Sequence, residues 1–470
     1  MEGPLAHPRD VKVLIISHDV VGTRMAGPGI RSWELARVLS QVVQVTLAVP
    51  GETDLTSDGV AVRPYRPDDI GSVAPLVEQA DVVMPCGWTL QVFAPLFGGE
   101  RPIIVDGYDP HVMEALVQYA DLPFDQQEAH QQSGRSLLHQ QCTLGDFFIC
   151  ASERQRDWWL GLLSAHDRVN PRTYAADPTL RSLVDVVPFG VPPRRPERSR
   201  SVMKGVVPGI ARDDRIVLWG GGIWEWLDPL TLIRAMSIVA RERGDVRVVF
   251  PGANRPQPRD EEDMPMWQRA VDLAQQSDLL GRYVFFGEWV DYTTWQDYLL
   301  EADIGVSLHF DTLETHLAFR TRVLSYIWAS LPVILTRGDV LSNMVAEHEL
   351  GVLVDYQDAE GVAAAILALL REPADRRESH FEEARRELHW ERVAEPLVRF
   401  CREPHRAADR VSGGPTSVGA EGYGWSQLHR EILAQEEQIE HLQALVAGYE
   451  KGRFIRLMKW LHRLPDLRRS

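Results

Sequence analysis

Two glycine-rich loops, one arginine pair and one acidic cluster are the parts of this sequence best equipped for chemistry. The first loop reads Met25, Ala26, Gly27, Pro28, Gly29, Ile30, Arg31, Ser32. Gly27 and Gly29 allow a ligand close to the backbone, and the helix that follows would offer its N-terminus to a phosphate. It is not a dinucleotide fingerprint, because Ser32 stands where a third glycine belongs and Pro28 has no N–H to give. A purely structural turn explains it as well. The second loop, Trp219, Gly220, Gly221, Gly222, Ile223, Trp224, follows an apolar run. It leaves the N–H groups of Gly221 and Gly222 open to a diphosphate.

The arginine pair closes the stretch Glu314, Thr315, His316, Leu317, Ala318, Phe319, Arg320, Thr321, Arg322, where a loop enters a helix. Arg320 and Arg322, with Thr321 between them, can clamp an anion through paired hydrogen bonds. Alternatively, Arg322 pairs with Glu314 on the surface. The acidic cluster, Asp106, Gly107, Tyr108, Asp109, Pro110, His111, follows another apolar run. Asp106, Asp109 and His111 can bind sugar hydroxyls or move a proton. Asp-x-x-Asp can also hold a divalent cation, and Asp109 before Pro110 is equally a turn signal.

The elements that must carry these residues repeat one plan. Residues 11–16 form a buried-strand pattern, followed by the first loop, a helix over 30–39 and a strand over 42–49. That is the opening of a βαβ unit. Apolar runs at 81–84, 102–106, 147–150 and 185–188 continue a doubly wound domain. Pro192, Pro193 and Pro196 break regular structure. The plan then restarts with strands at 215–219, 246–250, 283–286, 304–308, 333–335 and 352–354. The expectation is an α/β chain with two Rossmann-like domains, 1–195 and 196–406, facing a ligand cleft. A flexible linker over 407–424 and a helical extension over 425–470 follow.

Composition narrows the function. A formal charge of −17 argues against general nucleic-acid binding, so any anion site must be built locally from N–H groups and a few arginines. The 4 cysteines form no C-x-x-C pair and sit in apolar surroundings, which reads as buried, reduced thiols. No apolar stretch approaches the ~18 residues needed to span a bilayer, and the N-terminus lacks a signal peptide's core. The expected location is cytoplasmic, with contact at the inner face of a membrane. Residues 451–470, a basic amphipathic segment, can make that contact, and a solvated helix end or a partner-binding helix explains them as well. Residues 428–449 carry a short heptad seam suited to self-association.

As a set, these residues resemble retaining glycosyltransferases of family 4, the group 1 glycosyltransferases with the two-Rossmann GT-B fold. The resemblance spans residues 11–402. Gly27, Pro28 and Gly29 carry it, with Ala151 to Gln155, Val187 to Pro192 and Gly220 to Gly222. Phe285 to Gly287 and Ala329 to Ile334 complete it. Two departures stand out. The positions where the family has a diphosphate-holding arginine and lysine here look like Gly221 and Trp226. The family's two glutamates align with Leu317 and Ser325, leaving Glu314 as a displaced candidate.

The resemblance implies transfer of a sugar from a nucleotide diphosphate-sugar to a saccharide or lipid-linked acceptor. It implies retention and neither an obligatory metal nor a bound cofactor. Arg320, Arg322, Gly221, Gly222 and Gly29 would then stabilise the departing diphosphate. Asp106, Asp109 and His111 would position the acceptor. The nucleobase would lie against Phe286, Gly287 and Glu288. The missing glutamates keep open a non-catalytic relative that binds or scaffolds through 428–470, and a sugar-nucleotide epimerase shares the same fold logic. An NAD oxidoreductase is disfavoured by Ser32 and by the lack of an acidic residue after the second strand.

Overall fold

The computed structural model describes residues 11–56, 59–252, 265–373 and 376–411. The heptad seam, the basic segment and most of the expected linker lie outside them. Seven strands form the first domain: β1 (Lys12–Ile16), β2 (Gln44–Pro50), β3 (Val60–Tyr65), β4 (Val82–Pro85), β5 (Ile104–Asp106), β6 (Phe147–Cys150) and β7 (Val184–Val186). They run parallel in the orders β3-β2-β1-β4 and β5-β6-β7, and a Val83–Ile103 bridge joins the two sets. The second domain holds β8 (Arg215–Trp219), β9 (Val246–Phe250), β10 (Val284–Phe286), β11 (Ile304–Ser307), β12 (Val333–Thr336) and β13 (Gly351–Val354). Their order is β10-β9-β8-β11-β12-β13, again parallel.

Both sheets are covered on both faces, which is why their strands read as unbroken apolar runs. Val13, Leu14, Ile15 and Ile16 are all buried, as are Ile216, Val217, Leu218 and Trp219. β3 had no such signature: it is an edge strand with Arg63 and Pro64 exposed, where proline is tolerated. The four cysteines are free and buried, as their surroundings suggested.

Strand order reverses at β1/β4 in the first sheet and at β8/β11 in the second. Ligands bind at such switch points, beyond the carboxyl ends of the strands. The loop after β8 is Gly220 to Gly222, so the second glycine loop stands at its domain's switch point.

The last described residues return to the first domain. Helix Glu395–Arg402 stacks Phe400 on Phe147 of β6, with ring centroids 4.5 Å apart. Arg406 then pairs with the buried Asp146 at 2.9 Å, and Asp409 with Arg168 at 2.6 Å. The start of the expected linker is therefore packed: Ala407 is buried and its N–H donates to Asp146. Paired charges, rather than apolar spacing, hold it there. Among the described residues, no helix is long and apolar enough to cross a membrane.

Candidate functional site

A cleft of about 1690 Å³ runs between the two domains. More than half of the chain's 14 tryptophans line it, among them Trp88, Trp224, Trp226, Trp289 and Trp295. Broad apolar ring faces with polar edges suit the stacking of a base or a sugar ring.

The second-domain wall is built on the loop after β8. The N–H of Gly220 donates to the buried Tyr326 hydroxyl at 2.6 Å, which pins the loop to helix Thr321–Trp328. Gly221 sits at φ +88°, a backbone conformation that favours glycine, and a Cβ there would meet nothing within 4 Å. Its glycine is needed for the turn and leaves open space before it. The Gly222 carbonyl accepts from Arg322 Nη2 at 2.9 Å. The Arg322 guanidinium lies over the Trp219 ring at 5.0 Å, and its Nη1 is buried without a partner among the described residues. Burial pushes this arginine down to about 10; Tyr326 opposes the shift and Arg320 adds to it.

Arg320 is held differently. It donates to both Glu314 oxygens, at 2.7 and 2.6 Å, and reaches Thr315 Oγ1 at 3.3 Å. The sequence offered Arg322 as the surface partner of Glu314. Instead Glu314 is fully buried in the short helix Leu313–Leu317, and the turn at Ala318 and Phe319 brings Arg320 back onto it. Arg320 is also the N-cap residue of helix Thr321–Trp328, without a side-chain cap. The first N–H groups of that helix, at Thr321 and Arg322, therefore have no partner within it. Gly221, Gly222, Arg320, Thr321 and Arg322 thus meet on one wall, all lining the cleft.

Phe286, Gly287 and Glu288 do not join them. Phe286 stacks on Phe250 at 4.9 Å, the Gly287 N–H donates to the Phe250 carbonyl, and Glu288 is exposed. The next residues, Trp289 and Val290, line the cleft in their place.

The first-domain wall centres on Asp106, at the end of β5. Both its oxygens accept from Arg31, at 2.7 and 2.9 Å. Arg31 also donates to the Val187 carbonyl and lies against the rings of Tyr108 and Phe189, each 4.9 Å away. Asp106 is therefore a buried, paired carboxylate, although it still borders the cleft. Asp109 and His111 border it too, and His111 Nε2 lies 3.1 Å from the Gly134 carbonyl. Glu114, on helix His111–Gln118, joins this group. Its carboxyl is raised well above the usual range, first by burial, then by the charges of Asp109 and Glu314 and a hydrogen bond with Asp109; Arg320 opposes the shift.

Gly27 heads helix Gly27–Ser40 and lines the cleft. Gly29 does not: it is buried behind, where a Cβ would sit 2.1 Å from the Val20 carbonyl oxygen. Arg31 and Glu114 escaped the sequence reading. Arg31 looks like an ordinary helix residue, and its partner Asp106 lies 75 positions away.

Several contacts join the walls among the described residues, and two of them flank the cleft. The Tyr292 N–H donates to the Thr23 carbonyl at 2.6 Å, and the Tyr292 hydroxyl donates to Glu34 at 2.8 Å. On the far side, Gln155 Nε2 donates both to the Tyr108 carbonyl at 2.7 Å and to the Leu317 carbonyl at 2.9 Å.

Comparison with known proteins bears on this arrangement. Residues 214–372 match the family described as "Glycosyl transferases group 1". Sucrose-phosphate synthase from Thermosynechococcus elongatus is similar over 83% of this chain and 98% of its own, at 18% identity and TM-score 0.58. An E. coli trehalose-6-phosphate structure bound with UDP-2-fluoro glucose is similar over 83% and 99%, at 13% and 0.55. A UDP-forming trehalose-phosphate synthase from Burkholderia xenovorans in complex with glucose-6-phosphate is similar over 83% and 99%, at 14% and 0.55. Identities this low show the shared fold. No curated protein matches the sequence.

Proposed function

We propose that this chain, whose residues 214–372 match the group 1 glycosyl transferases on a GT-B scaffold, is a glycosyltransferase that takes a hexose-type sugar from a nucleotide-sugar and passes it, with retention and without an obligatory metal, to a saccharide or lipid-linked acceptor. The observation that carries this reading is the second-domain wall. There a guanidinium that has no carboxylate partner among the described residues, a left-handed glycine and a helix start converge beyond a switch point.

The donor's diphosphate would lie against Gly221, Gly222 and the start of helix Thr321–Trp328, with Arg322 as the charge that meets it. As the bond from the anomeric carbon to the phosphate oxygen lengthens, negative charge grows on the diphosphate and positive charge on the sugar. Fixed N–H dipoles and Arg322 stabilise the first at no cost in reorganisation. Arg320, already neutralised by Glu314, contributes shape more than net charge. The nucleobase finds flat partners at Trp289 and Trp295 rather than at Phe286. The acceptor hydroxyl would approach from the first domain, beside Asp109, Glu114 and His111.

The test is a thermal-shift panel of UDP-, GDP- and ADP-sugars on the full chain, followed by Arg322→Ala with the best binder. Stabilisation by one nucleotide-sugar, lost in the variant, supports the reading. A second reading, a non-catalytic relative, has one observation in its favour: Glu314 is buried on Arg320 and brings no carboxylate into the cleft. Release of free nucleoside diphosphate in the presence of an acceptor decides between them.

A further inference from the structure

The first-domain wall says which kind of acceptor belongs in the cleft. Asp106 borders it with its guanidinium partner behind. Glu34 faces it with Arg37 as its partner, at 3.0 Å. Asp109 and Glu114 face it, hydrogen-bonded to each other, and among the described residues neither is ion-paired with an arginine or lysine, although Arg320 acts on Glu114 from across the cleft. Two amides complete the surface. Gln118 and Gln141 both line the cleft, and the Oε1 atom of each is buried without a hydrogen-bond partner among the described residues. Gln141 is itself only 5% exposed. A carbonyl oxygen can only accept, and a buried acceptor left unsatisfied is costly. Beside them Tyr119 and His130 stack face to face, 3.7 Å apart and 9° from parallel, and both border the cleft.

The wall therefore asks for hydrogen-bond donors. A phosphate or carboxylate offers lone pairs to these oxygens and brings negative charge against Asp109 at low dielectric. A neutral hydroxyl-bearing ring offers O–H groups to all of them and an apolar face to the Tyr119–His130 stack.

Resting on the glycosyltransferase reading, we infer that the acceptor is an uncharged, hydroxyl-bearing molecule, carrying no phosphate or carboxylate where it meets Asp109, Glu114, Gln118 and Gln141. Its hydroxyls donate to these four residues. The acidic pair thereby acts as a filter that rejects phosphorylated sugars.

The test compares glucose with glucose 6-phosphate, read by the fluorescence of the cleft tryptophans, on the full chain and on Asp109→Asn/Glu114→Gln. Asp109→Asn alone is carried in parallel should the double variant not fold, with urea unfolding as the check. On the wild type, glucose 6-phosphate is expected to bind no more tightly than glucose. On the neutralised variants its Kd should fall about tenfold, the order expected for removing one unit charge from a half-buried site. Tighter binding of glucose 6-phosphate than of glucose by the wild type overturns the inference. So does an unchanged affinity for it across the variants, including no binding by any of them. Each sample is also titrated with the nucleotide-sugar panel. Retained nucleotide binding with no change toward glucose 6-phosphate sinks the acceptor filter alone, whereas absent nucleotide binding sinks the glycosyltransferase reading itself.

Discussion

Each wall of the cleft is braced by a buried, two-point arginine–carboxylate pair, and the two pairs face the ligand space with opposite sign. In the first domain, Asp106 borders the cleft and Arg31 lies behind it; in the second, Arg320 borders it and Glu314 lies behind. Around each pair the neighbours follow suit, with Asp109, hydrogen-bonded to Glu114, on one side and Arg322 on the other. A buried ion pair says little by itself about what binds nearby. Which partner fronts the ligand, and which neighbours lack a counter-ion, sets the sign of the field. Here that sign sorts a diphosphate to one wall and hydroxyls to the other.

The largest effects test whether the two pairs are equivalent as braces. Asp106→Ala and Glu314→Ala each strand a buried guanidinium, and each should cost about 3–5 kcal/mol in urea unfolding. Replacing both partners of the first pair, Arg31→Met with Asp106→Leu, should recover most of that loss, since an apolar pair of similar volume leaves no stranded charge. A loss under 1 kcal/mol in either alanine variant would break the comparison.

Next in size is the charge of Arg322. Arg322→Ala should weaken nucleotide-sugar binding roughly 10- to 100-fold, the range for a hydrogen bond to a charged group. Arg322→Lys should recover only part of it. The pH dependence has a definite sign. Burial lowers this arginine to about 10, and only its protonated form attracts a diphosphate. Donor affinity should be complete below that value and fall as pH rises through it, as isothermal titration would show. Affinity flat to pH 11 would remove Arg322 from the diphosphate.

Two glycines sharpen the contrast further. Gly29→Ala forces a Cβ onto the Val20 carbonyl and should cost roughly 2–3 kcal/mol of stability. Gly221→Ala meets open space and costs only its left-handed backbone, about 1–2 kcal/mol. Donor binding should suffer more in the second variant than in the first. The opposite order would mean that the first loop, not the second, holds the diphosphate.

These differences mark the limit of what was legible beforehand. Fully buried parallel strands announce themselves as apolar runs, so both sheets and the loop at the second switch point could be read from 1-dimensional pattern. β3 could not, because an edge strand bearing Arg63 and Pro64 has no such run. Both glycine loops looked alike as sequence. Only packing shows that Gly29 is there for its lack of a Cβ and Gly221 for its φ. Arg320 and Arg322 were named together as a clamp, yet a turn of chain gives one of them to Glu314 and leaves the other free of a carboxylate. Glu114 had no motif at all, since its character comes from Asp109 and from Glu314 of the other domain. The return helix Glu395–Arg402 depends on Phe147, far away in sequence.

The smallest expected effect concerns how the two walls are held together. Tyr292 reaches across by two bonds, its N–H to Thr23 and its hydroxyl to Glu34. Tyr292→Phe removes only the second. The ring stays packed, so the loss should be about 1 kcal/mol, the net worth of one hydrogen bond, and a little more because the acceptor is ionised. Glu34 keeps Arg37 as a partner, which limits the penalty of leaving it unpaired. If this bond helps to hold the walls at their present spacing, the variant should open more readily, and small-angle scattering without ligand should show a larger radius of gyration. A nucleotide-sugar contacts only the second-domain wall in the present reading. Its affinity should therefore change less than twofold, and so should that of an acceptor held by the first-domain wall, whereas turnover, which needs the two walls at their closed spacing, should fall further. A larger loss of donor affinity would mean that the donor also bridges the cleft, and the division of labour between the walls would have to be redrawn.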